Sequence, residues 1–293
     1  MSEAPQSQFQ LNRLEELYST LAHHKIVPGN DSSAPVFLFF SGNALYFPNT
    51  DEVLERTIIH SDRYEWENIL SQGIIPFSFA IFVRDIKKTW YSEGISAQYP
   101  DIDALLGLLK TLIPDGRKLV CVGNSAGGYA ATLFGILLGA ERIINVSGFV
   151  LLGDDLCSGA ENPALNAAMQ VEKKRKWFDL RPLLATGNCD IYHIYPVDSA
   201  MDQEQHAILS RYSNVHAFPV ASSRHGDGAP GYIYPYLLSF SNERMRELAK
   251  RLRSRAWTPF ALARCSLGLW GALRARILRK IRRLRIKYSS PKA

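Results

Sequence analysis

Residues 118–128, KLVCVGNSAGG, constrain the fold of this chain more than any other stretch. A short apolar run at 119–122 stops at Gly123. Asn124, Ser125, Ala126, Gly127 and Gly128 follow, and then the helix-forming run 129–138. A G-x-S-x-G between a predicted strand and a predicted helix is the context of a nucleophile elbow. The turn is tight enough to strain its central residue, and the positions two before and two after must lack side-chain bulk, hence Gly123 and Gly127. Ser125 is then expected at the C-terminal edge of a parallel sheet and at a helix N-terminus, where backbone amides can hold a developing oxyanion. The extra Gly128 and the flanking elements separate this motif from a chance serine between glycines.

The surrounding pattern agrees with such a sheet. Buried strands are expected at Val36–Phe40 (VFLFF), 77–83, 119–122, 142–152, 190–195 and 215–220. Helices are expected at 9–23, 102–113, 129–139, 201–212 and 232–251, and a mostly helical, exposed stretch at 51–72. Continuous apolar strands alternating with helices give a doubly wound, mostly parallel α/β sheet. Residues 153–187 break the alternation and hold the basic run Glu172-Lys173-Lys174-Arg175-Lys176-Trp177. They read either as a cap over the sheet's C-terminal edge or as a long connection.

Of 293 residues, 46% are hydrophobic and 21% charged, enough for a substantial core in one large domain or two small ones. Met1–Gln8 is polar, with no leader-like apolar segment, and no run approaches the length of a spanning helix. The four cysteines, Cys121, Cys157, Cys189 and Cys265, are scattered without a CxxC. Reduced thiols in a cytoplasmic protein are expected, with no zinc site. The net charge of +6 conceals an asymmetry: residues 251–293 carry 13 Lys/Arg and no Asp/Glu, so residues 1–250 sum to −7. The chain divides into an acidic body, 1–250, and a basic tail, 251–293.

A serine hydroxyl needs a base, and the base needs an orienting acid. In the elbow architecture these follow in the order Ser, Asp or Glu, His. His225, in the loop Ser222-Ser223-Arg224-His225-Gly226-Asp227-Gly228, follows the last strand and precedes the last helix of the body. The other six histidines precede the elbow or fall within strands and helices. The acid is open between Asp198 and Asp202, both just beyond the strand at 190–195, with Asp227 a weaker third option. An oxyanion hole needs two amides: Ala126, after the nucleophile, and Asn43, in the loop Phe40-Ser41-Gly42-Asn43-Ala44. The Gly-rich turn lacks the Lys-Ser/Thr of a phosphate loop and the spacing of a dinucleotide fingerprint. No His/Asp/Glu cluster has metal-ligand spacing, and no cofactor is implied.

On the residues FLFFSGNA, VCVGNSAGG, IYPVDSAMD and SRHG the chain resembles the α/β-hydrolase superfamily. It also resembles a bacterial branch with a Gly-Asn-Ser-Ala-Gly-Gly elbow, in which a strand ending in Arg-Asp is followed by Trp-Tyr, here Arg84-Asp85 and Trp90-Tyr91. The resemblance implies an α/β-hydrolase fold and favours Asp202 as the acid. It departs from common esterases in lacking a His-Gly pair before the oxyanion loop, which reads Ser41-Gly42.

From Trp270 onward, apolar residues at Trp270, Leu273, Ile277, Ile281, Leu284 and Tyr288 form one helical stripe among arginines and lysines. Such a helix can lie in the interface of an anionic membrane, so peripheral attachment to the inner membrane face is one expectation. Packing on the body or on a partner protein is another, and 257–271 is apolar enough to dock. No module for specific nucleic-acid recognition is present. The expected function is a serine hydrolase acting on an ester or related acyl bond of a small-molecule, glycan or lipid substrate. Acyl transfer to an alcohol is a variant on the same site. A non-catalytic hydrolase-fold protein of envelope or glycan assembly is the rival.

Overall fold

The computed structural model describes residues 11–153 and 163–289. Among these, one sheet is built from β1 (His24–Pro28), β2 (Val36–Phe40), β3 (Phe79–Val83), β4 (Leu119–Asn124), β5 (Arg142–Val146), β6 (Asp190–Pro196) and β7 (Val215–Val220), in the order β1-β3-β2-β4-β5-β6-β7. β1 runs antiparallel to β3, and all other pairs are parallel. This is the α/β-hydrolase fold.

The sheet is covered on both faces, and the strand sequences show why. Val36, Leu38 and Phe40 of β2 join one apolar cluster, while Phe37 and Phe39 join the other. Alternate side chains must find an apolar partner on opposite faces, so both sets are apolar. The first face packs against α2 (Ile102–Leu112) and α3 (Ala126–Leu137) and the last turn of α4 (Ala200–Leu209), the second against α5 (Asn242–Leu252). Asp101 starts α2 by accepting from the Ala104 amide at 2.8 Å, and Ser241 starts α5 by accepting from the Arg244 amide at 3.2 Å. α1 (Leu11–Thr20) packs Leu14, Leu17 and Tyr18 into a third, smaller cluster.

Several expectations change. β1 (HKIVP) was not expected from the sequence: at the sheet edge one of its faces meets solvent, so it carries Lys25 and Pro28 instead of an apolar run. The stretch 51–72 is not one exposed helix. Helix Asp51–Glu55 runs into a π-turn at Arg56–His60, a single turn follows at Glu67–Leu70, and Leu54, Ile58, Tyr64, Ile69 and Leu70 are buried. β5 ends at Val146 instead of continuing to 152. The chain must turn there to clear the elbow helix, since a Cβ on Gly148 would lie 2.4 Å from the carbonyl carbon of Gly128. The helix expected at 232–251 divides into Tyr234–Ser239 and α5.

Of the insertion at 153–187, residues 154–162 lie outside the described residues. The rest forms short helices at Pro163–Met169, Glu172–Arg175 and Arg181–Thr186. Leu165, Ala168, Phe178, Leu180 and Leu184 are buried in the same cluster as α2 and α3, so this part packs on the body. The tail docks as well. Trp257 lies beside β7, its amide donating to Pro219 at 3.0 Å and its carbonyl accepting from Ala221 at 2.9 Å. Helix α6 (Pro259–Ser289) kinks at Gly268 (φ 73°, ψ 171°) and buries Leu262, Ala263, Ala272 and Ala275. No described helix is long and apolar enough to cross a membrane.

Candidate active site

Between β4 and α3 the chain makes the tight turn expected of the elbow. Ser125 has φ 54° and ψ −119°, a left-handed conformation that costs about 1–3 kcal/mol for a residue with a Cβ. The glycines around it are required by contact. A Cβ on Gly123 would lie 1.9 Å from the Gly127 carbonyl oxygen, and one on Gly127 would lie 2.3 Å from that of Phe40. The Ser125 amide donates to Val146 at 2.8 Å, holding the strained residue against β5.

The Ser125 hydroxyl lies 2.9 Å from His225 Nε2, and His225 Nδ1 lies 3.0 Å from Asp202 Oδ2. Asp202 is in the first turn of α4 and only 1% exposed; the hydroxyl of Ser199, immediately before the helix, donates to its Oδ2 at 2.6 Å. With Asp202 accepting from Nδ1–H, Nε2 is left to accept the serine proton. Of the aspartates the sequence left open, Asp198 is exposed, and its backbone amide donates to Ser222 at 3.0 Å. Asp227 accepts from the Ser222 hydroxyl at 2.8 Å and so closes the His225 loop from within. Neither carboxylate is the one that meets the imidazole.

Beside this relay lies the loop after β2. Gly42 sits against the elbow, where a Cβ would come 2.6 Å from the Asn124 carbonyl oxygen. The Gly42 amide donates to Glu65 Oε2 at 2.9 Å, and the Glu65 amide donates to the Ser41 hydroxyl at 3.1 Å. Desolvation pushes the Glu65 carboxyl up to about 6, against the opposing pull of the Gly42 hydrogen bond. With Gly42 engaged, the amides of Asn43 and Ala126 have no hydrogen-bond partner among the described residues. Ala126 also begins a twelve-residue helix whose dipole favours negative charge at that end.

Asp85 and the Trp90-Tyr91 pair buttress both halves of the site, whereas Arg84 turns to His23, Asp62 and the Arg63 carbonyl. Asp85 Oδ2 accepts from the Tyr91 amide at 2.8 Å, and burial raises its carboxyl to about 6. The Tyr91 hydroxyl donates to the Ser41 carbonyl at 2.8 Å. The Trp90 ring packs 5.3 Å from Phe149, whose ring meets His225 edge-on at 5.3 Å. Glu65 and Phe149 were not singled out from the sequence: Glu65 reaches the site across 23 residues and Phe149 follows a strand end, with no local spacing to mark either. Among the described residues no three His, Cys, Asp or Glu side chains are grouped to hold a metal ion.

No family model and no curated protein sequence matches the chain. Solved structures similar to it include the capsule O-acetyltransferase of Neisseria meningitidis serogroup A, at 13% identity and a TM-score of 0.49, over 69% of this chain and 84% of that one. A fluorophosphonate-binding serine hydrolase F of Staphylococcus aureus is similar at 12% identity and a TM-score of 0.46, over 67% and 83%. Est1E from Butyrivibrio proteoclasticus is similar at 12% identity and 0.44, over 79% and 94%. At these identities the likeness carries neither a reaction nor a substrate over to this chain.

Proposed function

We propose that the chain is a serine enzyme of acyl transfer, with an ester or related acyl compound as donor. The observation that carries this reading is the relay Ser125–His225–Asp202, with links of 2.9 and 3.0 Å around a serine held at φ 54°. Ser125 Oγ attacks the acyl carbon while His225 Nε2 takes its proton. Asp202 orients the imidazole and stabilises the imidazolium. The carbonyl oxygen becomes an oxyanion, and the amides of Ala126 and Asn43 donate to it. Collapse expels the alcohol, which takes the proton back from His225 and leaves the acyl group on Ser125. Water activated by the same imidazole then releases the acid. An acceptor alcohol in place of water gives a new ester, so hydrolase and acyltransferase share every residue named.

A fluorophosphonate probe tests the reading directly. Wild-type protein is expected to be labelled and Ser125→Ala unlabelled, and the wild type is expected to hydrolyse short-chain aryl esters. Folded protein that neither labels nor turns over such esters would favour the non-catalytic alternative. Added alcohol acceptors that divert acyl groups from acid to ester would assign transfer.

A further inference from the structure

The tail helix presents two opposite faces, and only one is used by the body. Ala272 and Ala275 are buried against the second core cluster, and the Arg279 guanidinium lies 5.9 Å from the Tyr232 ring on that same side. At 100° per residue, Trp270, Ile277 and Ile281 point the other way. They are 81%, 57% and 41% exposed, and Leu269 beside them is 47% exposed. Arg274 and Lys280 are exposed along the flanks of this stripe. The tail from residue 251 onward contains no acidic residue, whereas the body sums to −7.

We propose that this outward face of α6 is a docking surface for an anionic lipid membrane. A stripe of one tryptophan and two isoleucines between cations matches a bilayer interface in two ways. The apolar side chains enter the acyl boundary, and the cations meet headgroup phosphates and carboxylates. A nucleic-acid backbone would use the cations but leave the isoleucines in water. An acidic protein would need an apolar groove of matching length. The small residues on the inner face fix the helix to the body, so the outer face is presented without first ordering a free segment. This is attachment to a surface, since no described helix is long and apolar enough to cross one. The proposal does not depend on the chemistry of Ser125.

The test is co-sedimentation of the full chain with vesicles of phosphatidylcholine containing about 30 mol% phosphatidylserine, against pure phosphatidylcholine, at about 0.1 M salt. Wild type and Ser125→Ala are both expected to pellet with the anionic vesicles only, and to be released at high salt. The variant Trp270→Ser/Ile277→Ser/Ile281→Ser is expected to lose at least about tenfold in partitioning. Because these side chains are exposed, it should melt with the wild type and keep its ester hydrolysis in solution. Equal binding to neutral vesicles, no binding, or undiminished binding by the triple variant would each overturn the proposal. So would a dimer that dissociates on the triple substitution without any vesicle binding, because a second copy would then be what covers the stripe.

Discussion

The hydroxyl of Tyr91 donates to the carbonyl oxygen of Ser41 across 2.8 Å, tying a left-handed residue fifty positions away to the loop that carries the Asn43 amide. That carbonyl belongs to the peptide whose amide, on Gly42, is already held by Glu65. Both ends of one peptide unit are therefore fixed, and Asn43 is the next residue along. Tyr91→Phe removes the donor and leaves a buried carbonyl with one partner fewer. A stability loss of about 1–2 kcal/mol is expected in chemical denaturation. The ester assay should show a fall in kcat with little change in KM, because the displaced amide meets the oxyanion only in the transition state.

Asp202 and Asp198 offer an internal control. They are four residues apart, yet one is almost fully buried against His225 and the other is exposed. Asp202→Asn replaces an acceptor with an amide that can present a donor to Nδ1, favouring the wrong tautomer. A kcat loss of roughly 10³–10⁴-fold is expected. Asp198→Asn should retain wild-type turnover. Equal effects in the two variants would remove Asp202 from the relay.

The difference between those aspartates also marks where the sequence stops being informative. Chain order brings a carboxylate to the end of β6, but which one turns inward is set by one helical turn of α4 and by the burial it imposes. The elbow is legible because its glycines answer to contacts within the motif and with the neighbouring strand: Gly123 meets Gly127, and Gly127 meets Phe40. Glu65 is not legible in the same way, and the Trp90-Tyr91 resemblance marks Tyr91 without giving its partner. Their partners Gly42 and Ser41 are distant in sequence, and nothing in the local spacing of either residue signals the meeting. β1 is hidden for a different reason: an edge strand with alternating exposure has no continuous apolar run to reveal it.

Gly127→Ala tests the contact reading at its tightest backbone approach to β2. The new methyl would meet the Phe40 carbonyl oxygen at 2.3 Å, backbone against backbone, and no rotamer relieves it. The elbow helix and β2 would have to separate, although Phe40 and α3 share the main core. A loss of at least about 3 kcal/mol, or failure to fold, is expected by thermal melting. Gly139→Ala is the informative comparison. Gly139, unlike Gly127, has a positive φ of 65°, but a Cβ there meets nothing within 4 Å. Only the backbone strain is then added, about 1–2 kcal/mol.

The buried His23 makes stability depend on pH. Its Nε2 lies 3.0 Å from the Leu17 carbonyl, which fixes the proton there, and its Nδ1 accepts from Arg84 Nε at 3.2 Å, a contact that only the neutral ring can make. Protonation would set an N–H against the guanidinium. Burial first, and Arg84 second, lower its pKa from 6.5 to about 4. In the unfolded chain the ring takes up a proton near its ordinary value, whereas the folded chain resists until about pH 4. The stabilising preference for the neutral ring is therefore complete above about pH 6.5 and is lost progressively as the pH falls toward 4, by up to about 3 kcal/mol. His193, lowered to about 3 by burial, adds a loss of the same sign over an overlapping range. His23→Gln keeps one donor and one acceptor but cannot titrate. Its stability, measured by urea unfolding from pH 7 to pH 4, is expected to fall less steeply than that of the wild type. Parallel curves for the two proteins would mean that His23 takes up its proton at the same pH in the folded and the unfolded chain, so that burial does not lower its pKa.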